Sequence, residues 1–101
     1  MAAANLPNRP LSKEEMQGVE LRVKQLRIYL RNNVDDPQRL ARVEKKLDDL
    51  IAGSKRLGVK DFANVSLGIL MTIAVEATLS GHQARELVNL FFNGLRALLG
   101  A

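Results

Sequence analysis

The chain has no cysteine and no tryptophan, one histidine, and few aromatic residues of any kind, 4% in all. Without cysteine there is no disulfide framework, no thiolate metal site and no cysteine nucleophile. Zinc sites are normally built from several His or Cys ligands, so His82 by itself supports none. The scarcity of aromatics leaves Leu, Ile, Val and Ala to fill the interior, an alphabet suited to helix packing. Extended stretches of alternating polar and apolar residues are missing, and proline and glycine fall mainly where helices would begin or end. The expected class is therefore all-α.

What remains is 101 residues, 47% hydrophobic, with a formal charge of +4. That length suggests a single domain with a modest core. Residues 1–11, with Pro7 and Pro10, read as a flexible leader without the apolar stretch of a secretory signal. Residues 12–101 read as one helical domain.

Four helices follow from start signals and spacing. Ser12 and Glu15 form an S-x-x-E capping box, in which each side chain satisfies the other's backbone donor. Met16, Val19, Val23, Leu26 and Leu30 then recur at intervals of 3, 4, 3 and 4, the seam of a packed helix. Asp36 offers an N-cap and Pro37 a first helical position. Leu40, Val43, Leu47 and Leu50 repeat the spacing up to a stop at Gly58. A third helix begins near Lys60 or Asp61 and ends before Gly81. Ser80 and Gln83 start a fourth, with Leu87, Val88, Phe91, Leu95 and Leu98 as its stripe. Short connections predict a four-helix bundle of two antiparallel hairpins, a charged one over 12–58 and an apolar one over 60–100.

The halves differ in charge. Thirteen of the fifteen basic residues precede Asp61, and residues 61–101 hold five charges, Asp61, Glu76, Arg85, Glu86 and Arg96. Lys24, Arg27 and Arg31 stripe the first helix, and Arg39, Arg42 and Lys46 the second, as a nucleic-acid face would. In heptad register, however, Arg27 and Lys24 come opposite Glu44 and Asp48, and Arg22 near Asp49. Much of the charge then serves helix pairing. Lys55, Arg56 and Lys60 lack a nearby acid in this register and are the candidate phosphate or nucleic-acid contacts, although cations are also favoured at a helix C-terminus.

Catalytic motifs are missing. There is no Walker loop, dinucleotide fingerprint, His-Glu-x-x-His or nucleophile elbow. Asp35 with Asp36, and Asp48 with Asp49, diverge by about 100° per residue on a helix and form no convergent site. Glu76 is expected to pair with Arg85 or Arg96, and His82 to face solvent. Neither enzyme activity, cofactor nor metal is expected.

From Phe62 to Val75 no residue is charged, and apolar side chains point in nearly every direction. Fourteen residues span roughly 21 Å, short of a bilayer core of about 30 Å. The excess apolar surface is expected to meet another chain, by symmetry a second copy in a homodimer. Phe62, Met71, Phe91, Phe92 and Leu95 are the candidate protein contacts. The leading functional reading is a cytoplasmic, non-catalytic oligomerisation and protein-interaction module, such as an adaptor, chaperone or assembly subunit. A small basic dimeric nucleic-acid-binding regulator is the alternative, and a membrane-associated helical protein a second one.

Overall fold

A computed structural model describes residues 8–98, the side chains of 96–98 excepted. Four helices account for most of them: α1 (Lys13–Asn33), α2 (Pro37–Arg56), α3 (Val59–Glu76) and α4 (Gly81–Leu98). Among the described residues there is no strand, only an isolated bridge between Pro10 and Gly58.

The helix starts are those the local sequence dictates. The Ser12 and Glu15 box is complete in both directions. Asp36 caps α2 by accepting from the amides of Gln38 and Arg39, with Pro37 at the first turn. Ser80 and Gln83 form the same reciprocal pair ahead of α4.

One helix end departs from expectation, and another, which falls before Gly81 as expected, closes in an uncommon way. Gly58 does not terminate α2. Leu57 holds that position, and Gly58 is the N-cap of α3 at φ −70, a conformation open to any residue. Glycine is needed there for space, because a Cβ at this position would lie 2.8 Å from the Asn8 carbonyl oxygen. At the far end of α3, the Leu79 amide bonds to the Ala74 carbonyl and the Thr78 amide to that of Val75. This is a Schellman closure, and the left-handed position it requires is filled by Thr78 at φ 54 rather than by glycine.

The helices form a ring in which α1 packs on α2 and α4, and α3 on α2 and α4. Ion pairs give the directions. Arg27 reaches Asp48 and Arg31 reaches Glu44, so α2 descends as α1 ascends. Tyr29 meets Glu86 and Asn33 meets Gln83, so α4 also opposes α1. Because α2 packs on α3 as well as on α1, the contacts do not single out two hairpins. One apolar cluster draws on every helix, from Val19, Val23, Leu26 and Leu30 through Val43, Leu47 and Leu50 to Phe62, Leu70, Ile73, Leu87, Phe91 and Leu95.

Residues 8–11, assigned by sequence to the leader, are docked. The Val59 amide donates to the Arg9 carbonyl, and Asn8 Oδ1 accepts from the Asp61 amide. Asn8 thereby supplies the cap that Gly58 has no side chain to make. Leu11 is buried. The rest of the expected leader lies outside the described residues.

Candidate functional site

Charged side chains on α1 and α2 act first on the fold. Arg27 bridges Glu44 and Asp48 at 3.1 and 3.2 Å, as the heptad register predicts. Glu44 also accepts from Arg31, whose guanidinium holds its carboxyl below the usual carboxylate range. Arg22, placed by sequence near Asp49, instead lies on the α4 side. It donates to Gln25 and lies over Gly94, where a Cβ would require the Arg22 guanidinium to shift. Glu76 is bound by Arg42 of α2 and not by Arg85 of α4, while the side chain of Arg96, the other expected partner, lies outside the described residues. The bond from Arg42 is the main cause of its lowered pKa, with Lys46 and Arg39 adding their field. The second basic stripe thus turns toward α3 and surrounds its one internal acid.

The most displaced carboxyl is Glu15. Arg9 grips both its oxygens at 2.7 Å, and the Ser12 amide donates at 2.8 Å. These bonds, that from Arg9 foremost, outweigh the cost of burial and hold its pKa at about 2. Tyr29 donates to Glu86 at 3.1 Å, and burial, with this bond, raises its pKa. His82 is exposed in the first turn of α4, with Nε2 2.7 Å from Glu86. Every displaced group is held by a partner that joins chain segments. Among the described residues, no group of three or more His, Asp or Glu side chains could hold a metal ion.

Lys55 and Arg56 are exposed at the end of α2 and have no ion-pair partner among the described residues. Both line a groove of about 330 Å³ with Asn8, Pro10 and Gly58. Lys60, half-buried, follows on α3. The three expected phosphate contacts therefore lie at one helix junction. The adjoining N-terminus of α3 is not an open anion site, because Asn8 and Arg9 already take the amides of Asp61 and Val59.

The five expected protein contacts fall in two groups. Phe62, Phe91, Phe92 and Leu95 are buried inside the chain. Phe62 and Phe91 approach with ring centroids 6.3 Å apart, and Phe91 meets Phe92 edge-on at 5.2 Å, geometries that favour aromatic pairs. A partner docked on the outside of this fold does not touch these four. The ring needs bulky apolar side chains at its centre, and with so few aromatics in the chain they are used there. Met71, by contrast, is 52% exposed.

Met71 belongs to a surface that spacing could not locate, since a helix apolar all round gives no clue to its covered side. Asp61, Asn64, Val65, Gly68, Met71, Thr72 and Val75 all face outward on α3, with Leu67 at the edge. Val75 is 77% exposed. Asp61 at one end is the only charge on this face, and Glu76 at the other is turned to Arg42. A Cβ at Gly68 would meet nothing. Beside the face runs a groove of about 370 Å³, lined by Val65, Gly68, Ile69 and Thr72 with Lys46 and Asp49 of α2. Among the described residues, Leu21, Ile28 and Leu90 are the other exposed large apolar residues, on α1 and α4.

These features define a small all-helical protein with a weakly charged apolar face on one helix. Among the described residues, no helix is long and apolar enough to cross a membrane. Comparison of the chain with protein-family models, curated proteins and solved structures gave no match.

Proposed function

We propose that the chain is a non-catalytic oligomerisation and protein-interaction module of the cytoplasm, a bundle of two antiparallel hairpins that works as an adaptor, chaperone or assembly subunit. The observation that carries this reading is the outer face of α3, where Val65, Met71 and Val75 share one exposed side. Exposed apolar faces with so little charge are characteristic of surfaces that meet another protein. The ionisable groups with displaced pKa values hold helix to helix or segment to segment, as in a protein whose charges serve its assembly.

The test is the molar mass in solution at micromolar concentration, by light scattering after gel filtration. A multiple of the 11.2 kDa chain mass is expected, and a strict monomer counts against the reading. A second reading, nucleic-acid binding, rests on Lys55, Arg56 and Lys60 at one junction. Affinity that falls steeply with salt would favour it, and no binding at low salt would end it.

A further inference from the structure

We propose that the partner of the α3 face is a second copy of this chain, docked with the two α3 helices antiparallel about a two-fold axis at Gly68. The inference rests on the oligomerisation reading above and adds a partner and a geometry to it.

Gly68 stands at the middle of α3, which runs from Val59 to Glu76. Nothing lies near the position its Cβ would occupy. In an exposed helix interior, glycine weakens the helix relative to alanine, and the single chain gains nothing in packing to offset this. A second helix crossing at Gly68 would use the missing side chain, because interaxial distance is set by the residues at the contact. In an isologous interface a residue at one distance before the axis meets the residue at the same distance after it. Around Gly68 that rule sets Val65 against Met71 of the other copy, and Asn64 against Thr72. Apolar meets apolar, and an amide meets a hydroxyl. Parallel alignment would place like beside like and bring the two Asp61 carboxylates together.

Charge complementarity points to the same occupant. Lys46 and Asp49 line the groove beside Gly68. α2 runs against α3, with Arg42 at the level of Glu76 and Gly53 at the level of Phe62. Lys46 and Asp49 therefore flank the axis on opposite sides. The two-fold exchanges them and brings Lys46 of each copy to Asp49 of the other. At the ends of the interface the same rule sets Asp61 against Val75 of the other copy, beside the Glu76 that Arg42 already neutralises. A surface whose charges pair with their own rotated image is fitted to a second copy.

Charge reversal tests this directly. Sedimentation equilibrium on the full chain gives the dimer dissociation constant. K46D sets acid against acid across the axis and is expected to weaken the dimer about tenfold or more. D49K alone is expected to do the same, and K46D with D49K to restore it. G68R, which points into open space in the single chain, is expected to abolish the dimer and leave the helical circular dichroism unchanged. A dimer that survives G68R and ignores the reversals overturns the α3 geometry and leaves the oligomerisation reading standing. A wild-type chain that stays monomeric at high concentration ends both.

Discussion

Replacing Ser66 with alanine should make the protein more stable, the reverse of the usual effect of altering a core residue. Ser66 lies within α3, fully buried, and its hydroxyl has no hydrogen-bond partner. Burying an unpaired hydroxyl costs about 1–3 kcal/mol. Alanine removes that cost and favours the helix by about 0.5 kcal/mol. The small void left by one oxygen takes back a few tenths of a kcal/mol. The net gain is about 1–3 kcal/mol, or roughly 5–20 °C in melting temperature for a chain of this size. Ser54 provides the control. It is equally inaccessible, but its hydroxyl donates to the Ile51 carbonyl at 2.6 Å. There alanine loses a bond worth about 1 kcal/mol and regains part of it in helix propensity, so it should be neutral to mildly destabilising. Urea unfolding at a single protein concentration measures both, with unchanged slopes confirming that the midpoints compare like with like. If S66A is no more stable than wild type, or behaves as S54A does, the hydroxyl has an acceptor in solution. The Phe62 carbonyl one turn earlier is the nearest by sequence, and the reasoning from desolvation then fails.

Thr78 invites a second stabilising change. T78G relieves a β-branched residue from a left-handed conformation and should add about 1 kcal/mol, read as a raised melting temperature. The Glu15 carboxyl predicts the acid limb of stability. Its folded pKa of about 2 lies below the ordinary value of 4.5. Its contribution is therefore complete above pH 4.5 and fades as pH falls toward 2. E15Q should be less stable than wild type at pH 7 and lose less between pH 5 and 2, and parallel curves would refute the assignment. G58A should expel residues 8–11, because its Cβ would collide with Asn8. The readout is hydrogen exchange of the Val59 amide, which now donates to Arg9, and unchanged protection would count against it.

What the sequence disclosed and what it concealed divide along the range of the interactions. Ser12 with Glu15, Asp36 with Pro37 and Ser80 with Gln83 were all legible, because each capping device lies within four residues and depends on local chemistry. The ladder from Arg27 to Glu44 and Asp48 was legible too, since heptad register carries across one short turn. Asn8 was not, because it caps a helix that begins 51 residues later, and nothing near Asn8 announces that. Glu76 carries no mark that Arg42 of α2 is its partner. Gly58, expected to stop α2, is instead the N-cap of α3, and its reason is steric and lies in a distant segment. Thr78 sits in a place where the rule of glycine at helix ends points elsewhere. For the candidate surface the difficulty was different. Amphipathic helices announce their covered side by spacing, whereas α3 has apolar residues all round. Only its placement in the ring shows that Phe62 and Ile73 are inside while Met71 and Val75 are outside.

The contact between α1 and α4 has a topological consequence. Tyr29 meets Glu86, and Asn33 meets Gln83, so the first turn of α1 and the last turn of α4 come to the same end of the ring. Each helix has two neighbours, and the connection at 34–36 closes an edge of the ring no different in kind from the edge between α1 and α4. The order in which the chain visits the helices is thus only one of several compatible with the same packing. A circular permutant opened at 34–36, with a flexible linker joining the old ends, would run α2, α3, α4, α1 and keep every helix pair. It would also make the pairing of α1 with α4 a local event. That pairing now brings together residues 50 or more positions apart; in the permutant the equally extensive pairing of α1 with α2 becomes the distant one, and the permutant should therefore fold at a similar rate with similar stability.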